Sequence, residues 1–304
     1  MKCRKRFLGA NMESPILRPK WFRTLACPIC KKALRQEQES FICDHCPATY
    51  PIRDGIPILL DPASLKENQS VLQSLSGREM VSQYSGSSLW VRIIKAIRQA
   101  ITLDYIPYPP DLGGWIRRLG PEALVVEVGS GVRRLHPGVI NIDINPFQQV
   151  DIVADGAKLP FMEGSLDFVI LDVVLEHVKF PSQFITEAHR ALKPHGLLYV
   201  AVPFLHAYPA DYHRFSVDGL RLLTDRLVTL ENGILRGPMA AILNCISDLP
   251  FLWTFSDNAK VYQITKGIVL LFTFWLKYLD KILVRNPQAH RLAHCLYFLA
   301  QKIE

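Results

Sequence analysis

VVEVGSG (Val125–Gly131), VINIDI (Val139–Ile144), DIVADGAKLPF (Asp151–Phe161), LDFVILDVVLEHV (Leu166–Val178) and HRALKPHGLLYVAVP (His189–Pro203) follow one another in the 304-residue chain. The first run is apolar and ends in an acid and a glycine turn. The second ends in Asp143, the third in Asp155-Gly156, and the fourth leads through Asp172 towards a helix. That helix stops at Lys193-Pro-His-Gly196, and Leu197 to Pro203 supplies a fifth strand. Short apolar runs bounded by turn residues, the fourth running into a helix, predict a parallel α/β sheet buried on both faces. In such sheets ligands sit at the carboxyl ends of the strands, where the acids and glycines cluster. Gly129-Ser130-Gly131 lets the backbone turn sharply and approach a ligand.

Cys27-Pro-Ile-Cys30 and Cys43-Asp-His-Cys46 are separated by twelve residues. Each pair is a tight turn offering two thiolates, and the interval allows a hairpin to bring the turns together. Four thiolates predict a closed tetrahedral zinc site, structural rather than catalytic, in a reducing compartment. His45 is read as a bystander because four cysteines suffice. Asp54-Gly55 predicts a turn and Ile56 to Leu60 a short strand.

The five-strand series resembles the class I S-adenosylmethionine (SAM)-dependent methyltransferases, most closely the type 11 methyltransferase domain. The resemblance covers about a third of the chain and implies a Rossmann-like sheet. It places the cofactor on Glu127, Gly129, Ser130, Gly131, Asp143, Ile144, Asp155, Gly156, Ala157 and Asp172. By it, Glu127 stands near the cofactor's amino group. Asp143 accepts the ribose hydroxyls, and Asp155 with Gly156 and Ala157 holds the adenine. The LEHV step (Leu175–Val178) recurs in that family with a mostly structural role. The run LACP-C…C--C…YPI-DGIP-LL resembles the small zinc-ribbon proteins that activate several methyltransferases, here fused in one chain.

One departure is visible. Only ten residues separate Val128 from Val139, whereas a parallel crossover usually takes a dozen or more and a helix. The first crossover helix is expected to be shortened or nearly absent. Arg133 or Arg134 is a candidate grip for the cofactor's methionine carboxylate, against the alternative of a solvated loop. The exit of the fifth strand, Phe204 to Phe215, is rich in His, Tyr, Asp and Arg. It is where acceptor recognition belongs, with His206 or His213 as candidate proton acceptors and Asp211 or Arg214 as candidate orienting groups.

The chain divides into a basic arm (1–20), the ribbon (21–62), a linker or lid (63–112), the methyltransferase domain (113–230) and a helical C-terminal extension (231–304). Leu89 to Ile101 has helical apolar spacing and reads as cofactor cover or connector. The net charge of +7 sits at the ends, +5 over residues 1–62 and +3 over 231–304, while 113–230 carries −2. That balance argues against a nucleic-acid groove over the active site. Ile268 to Leu276 is apolar but far short of a membrane span. Leu292, Cys295, Leu296, Leu299 and Ile303 have the spacing of an amphipathic helix. The C-terminal helices either pack on the domain or make a peripheral membrane contact. No secretory signal is expected, and the cytoplasm is the expected location.

The function these features predict is SAM-dependent methylation of a small-molecule, sugar or lipid-linked acceptor, with SAM and structural zinc as cofactors. RNA or translation-factor methylation, and SAM binding without catalysis, are the two alternatives.

Overall fold

The computed structural model describes residues 19–62, 64, 111–205, 211–254 and 258–303. The stretch 89–101, read as helical in sequence, most of the expected lid and His206 lie outside them. Four short strands come first: β1 (Arg35–Glu37), β2 (Ser40–Ile42), β3 (Thr49–Arg53) and β4 (Ile56–Leu59). They are followed by α1 (Leu112–Leu119), β5 (Val125–Val128), β6 (Val139–Asp143), β7 (Ile152–Ala154), β8 (Leu166–Asp172), α2 (Pro181–Ala191) and β9 (Leu192–Pro203). The chain then forms α3 (Val217–Leu223), β10 (Leu227–Arg236), α4 (Pro238–Leu252), α5 (Ala259–Thr273), the single turn α6 (Asp280–Leu283) and β11 (Cys295–Lys302).

All eleven strands join one sheet in the order β1-β2-β3-β4-β7-β6-β5-β8-β9-β11-β10. From β4 to β9 neighbours run parallel, and β11 is antiparallel to both β9 and β10. Every residue of β5, β6 and β7 is buried, as expected of parallel strands covered on both faces. Ile116 of α1 packs on one face against Val125, Phe168 and Tyr199. Ile185 and Ala188 of α2 pack on the other with Val126, Val169 and Val200.

The zinc-ribbon segment is not a separate bead. Its last strand pairs in parallel with the sheet's edge strand, Ile58 opposite Val153 and Leu59 opposite Ala154. Thr24 accepts a backbone bond from Met162, and Ala26 donates to Pro160. Leu25, Phe41 and Tyr50 belong to the same buried cluster as Val126, Leu159 and Phe161. Lys31 is paired with Glu187 of α2 at 2.6 Å. An edge strand left bare would expose a row of unpaired backbone groups, and here the ribbon covers it.

Two expectations about the C-terminal part are revised. Residues 295–302 are not an amphipathic helix but β11, because Cys295 to Ala300 is buried on both faces between β9 and β10. The helical part is the stretch 238–292, inserted between β10 and β11, and the expected boundary at 230 falls inside β10. The first crossover has no helix at all: residues 129–138 are turns and bends.

Candidate functional site

The helix-free crossover is held by one arginine. Arg134 donates to the carbonyls of Val139 and Gln149, both at 2.8 Å, and to both carboxylate oxygens of Asp151 at 2.9 and 3.0 Å. Nη1 on the Val139 carbonyl and Nη2 shared between the Gln149 carbonyl and the Asp151 carboxylate fix the guanidinium's direction as well as its distance, so Arg134 does the positioning that a crossover helix would otherwise do. It is therefore not available to a ligand. Arg133 is placed differently. Its guanidinium bridges Glu127, at 3.0 Å, and Asp172, at the carboxyl ends of the neighbouring strands β5 and β8.

Those two acids are not fully satisfied. Glu127 is 1% exposed, and its Oε2 has no hydrogen-bond partner; neither does Asp172 Oδ1. Burial pushes the Glu127 carboxyl up to about 7, with Arg133 pulling against that and the charge of Asp172 adding to it. Two converging carboxylates, each with a spare buried oxygen, fit a cationic group better than a neutral one.

Beside them runs a crevice of about 610 Å³ along the carboxyl edge of β5, β6 and β7. It is walled by Gly129, Asp143, Ile144, Asp155, Gly156 and Ala157 on one side and by Val174, His177, Phe184 and Tyr212 on the other. That volume suits a ligand of drug size, for which about 300–1,000 Å³ is usual. Gly129 has φ +72°, and a Cβ there would come within 2.7 Å of Val174; a Cβ at Gly156 would collide with Phe184 and Val128. Asp143 accepts from the backbone N–H of Gly131 at 2.9 Å and of Asn145 at 2.8 Å, so it ties the glycine turn to β6. Asp155 accepts from Ala157 N–H at 2.9 Å and from the Ser64 hydroxyl at 3.1 Å. Thus the backbone just after the ribbon reaches the Asp155 end of the crevice. Ser130 is buried with an unpartnered hydroxyl.

Glu176 lies next to His177, which lines the crevice on the side where acceptor recognition is expected. Glu176 is fully buried, neither oxygen has a hydrogen-bond partner, and burial, reinforced by Asp211 and Asp172, pushes its carboxyl up to about 7. His177 lines the crevice with Nδ1 3.0 Å from Asp211 Oδ1 and Nε2 3.8 Å from Glu176 Oε1. Arg214 pairs with the same buried Asp211. Asp211 and Arg214, candidates for orienting an acceptor, therefore serve each other and His177. The His213 ring lies 3.1 Å from the Lys179 carbonyl, and His213 is not among the residues walling the crevice. Sequence order could not show the His177–Asp211 contact, because it joins groups 34 positions apart across a loop.

The four cysteine sulfurs all lie within 4.8 Å of one another, with Cys30 and Cys43 at 3.5 Å. A tetrahedral ion with bonds of about 2.3 Å needs sulfur separations near 3.8 Å, so the donor set and its spacing fit zinc. A Lys32 backbone N–H lowers the Cys30 thiol to about 7. His45 stands exposed, outside the cluster.

Residues 134–200 match the family described as methyltransferase domain, and residues 19–55 match the family described as Trm112p-like protein. The first match starts just beyond the glycine turn, where the crossover departs from the usual pattern. An uncharacterized 37.1 kDa protein in transposon Tn4556 of Streptomyces fradiae is 29% identical over 182 residues. That stretch is 59% of this chain and 52% of that protein, so the chain spans about half the length of that relative. A UPF0434 protein of Methylobacillus flagellatus is 41% identical over 49 residues, 16% of this chain and 82% of that protein. Among solved structures, the complex between the Haloferax volcanii Trm112 methyltransferase activator and a methyltransferase is similar at 18% identity. It covers 60% of this chain and 83% of that one, with a TM-score of 0.38. The chain thus joins a Trm112p-like segment with four clustered cysteines, residues 19–55, to a methyltransferase domain, residues 134–200, within one Rossmann-like sheet.

Proposed function

We infer that this chain transfers a methyl group from SAM to a small-molecule, sugar or lipid-linked acceptor. The observation that carries this reading is the carboxyl edge of three adjacent strands: Glu127, Asp143 and Asp155 follow one another along it, the last two walling the crevice with Gly129 and Gly156, neither of which has room for a Cβ. When bound, the cofactor supplies an electrophilic methyl group. Asp143 suits the ribose hydroxyls, Asp155 with Ala157 the adenine edge, and the pair Glu127–Asp172 the ammonium. Arg133 stands between those two acids and is the residue placed to turn to the carboxylate of the same amino acid. Holding the two reactants in line supplies much of the acceleration in such a transfer. A proton leaving the acceptor is assigned to His177, the imidazole that lines the crevice against Asp211; His206 and His213 are its competitors. Replacing each of the three in turn separates them: His177→Asn should lower kcat with SAM affinity unchanged, the mark of a group that acts in the transition state.

The Glu127 assignment makes a pH prediction. An ammonium favours the ionised carboxylate, which forms as pH rises through about 7. SAM affinity should therefore climb through that range and level off above it, and binding below it should release protons. Arg133 and Arg134 from the crossover and Asp172 from β8 face the same group, so the Glu127→Gln variant is the control. A pH dependence that survives in Glu127→Gln assigns the titration to another group.

The acceptor class is tested with methyl-labelled SAM and cell extract fractionated into metabolites, lipids, RNA and protein. Label in the small-molecule or lipid fraction is expected. Label in RNA or in a translation factor would overturn the acceptor class. SAM binding by calorimetry with no label transferred to any fraction would replace catalysis by binding alone.

A further inference from the structure

The hairpin of α4 and α5 is built inside out. Asn244 and Asp248 of α4 meet Lys266 of α5 at 2.9 and 2.8 Å, with the Tyr262 hydroxyl 3.0 Å from the same Asp248 oxygen. Asp280, fully buried, accepts from the backbone N–H of Met239 at 2.8 Å and of Ala240 at 3.1 Å, which caps α4. The polar groups thus hold the hairpin together from within. The outward faces are apolar. Ile242, Ile246, Leu249 and Trp253 stand at one helical repeat along α4 and its C-cap, and Ile264, Ile268, Leu271 and Trp275 at the same repeat along α5 and the turn after it; all eight are exposed. Trp253 is 84% and Phe272 73% accessible. Solvated proteins do not carry a contiguous apolar face of this kind without an occupant.

Among the described residues, the unpaired charges around it are of one sign. The acids Asp248 and Asp280 are engaged within the hairpin, while Lys260, Lys281, Arg285 and Arg291 are exposed, and among the described residues none of these four forms an ion pair. Arg285 and Arg291 also wall a cavity of about 800 Å³ at the foot of the hairpin, with Arg221 and His290 over Phe204 and Tyr297. Its one carboxylate, Asp218, is already taken by Arg221 at 3.1 Å. A second copy of the chain would set these cations against themselves. An anionic lipid surface complements both features, with tryptophans and cations at the depth of the headgroups. Among the described residues no helix is long and apolar enough to cross a membrane; α4 and α5, fifteen residues each, suit a helix lying in the interface.

We propose that the α4–α5 hairpin docks this protein on an anionic lipid bilayer, with Trp253, Phe272 and Trp275 in the headgroup boundary and Arg285 and Arg291 on lipid phosphates. The hairpin leaves the sheet after Arg236 and returns at Cys295, which pairs with Pro203 at the carboxyl end of β9. The edge that carries the crevice therefore faces the same side, and on the acceptor reading above this favours a lipid-linked acceptor.

The test is flotation of the full-length protein with phosphatidylcholine vesicles, with and without phosphatidylglycerol. The parent should float with the anionic vesicles, less so at high salt. The Trp253→Ser, Phe272→Ser double variant should lose at least roughly tenfold in partition, the scale of two large apolar side chains withdrawn from lipid. Arg285→Gln with Arg291→Gln should remove the preference for anionic vesicles. The melting temperature of the double variant should not fall, because its side chains are exposed. A parent that ignores both vesicle types, a dimer that the double variant dissociates, or a melting temperature that drops because the chain itself covers the face would each overturn the proposal. SAM affinity measured on the same variants is independent: its absence would sink the proposed function and leave the vesicle result standing.

Discussion

Stripping the metal from this protein should unfold more than its ribbon. A chelator strong enough for structural zinc, or Cys43→Ser, is expected to lower the melting temperature by more than about 10 °C, given several kcal/mol lost and roughly 2–4 °C per kcal/mol for a domain of this size. The reason is the shared sheet and core. β4 hydrogen-bonds the β7 edge, and Leu25, Phe41 and Tyr50 are buried together with Val126 and Phe161. The segment after β4 then places Ser64 on Asp155. Loss of the ribbon therefore uncovers an edge strand and opens the core on the side where adenine is expected. SAM affinity should fall with stability in the same titration. Metal analysis of the purified protein should give one zinc per chain. A protein without metal whose melting curve ignores the chelator removes the zinc assignment. A chelated protein that loses zinc yet melts unchanged would show that the ribbon folds on the strength of its packing alone.

The second large effect concerns Asp143. Oδ2 receives the N–H of Gly131 and Oδ1 the backbone and side-chain N–H groups of Asn145, so Oδ2 keeps a lone pair for a ligand hydroxyl. Asp143→Asn keeps the shape and one acceptor but removes the charge. It should remain folded and lose about 1.5–3 kcal/mol of SAM affinity, roughly tenfold to more than a hundredfold, as charge-assisted hydrogen bonds require. Asp143→Ala additionally frees two backbone donors, Gly131 of the glycine turn and Asn145 after β6, so its stability should fall by about 1–3 kcal/mol or more as well. Calorimetry on the folded Asn variant that gives parental affinity would move the ribose away from this strand end.

The order of the strands, the acids at their ends and the two cysteine pairs were all legible in the sequence, because each is local. A strand-end acid is contiguous with the apolar run that carries it, and two thiolates two residues apart share an ion whatever surrounds them. A shortened or nearly absent first crossover helix was legible too, since ten residues leave little space for one, and the structure has none there. Contacts between distant segments were not. Nothing near Arg133 and Arg134 distinguishes them; Asp151 and the Val139 and Gln149 carbonyls claim one, Glu127 and Asp172 the other. His177 acquires its partner from the loop beyond β9. The stretch from Leu292 to Ile303 satisfies a helical repeat on paper, yet pairing with β9 and β10 on either side buries both of its faces and makes residues 295–302 a strand. In sequence the C-terminal helices left packing on the domain and a peripheral membrane contact both open; the fold turns the hairpin's polar side inward through Asp248, Lys266 and Asp280 and leaves apolar side chains exposed. Local chemistry specified the strand-end acids and the cysteine cluster; non-local pairing and burial decided which arginine bridges Glu127 and Asp172, what partners His177 and which face of the hairpin stays exposed.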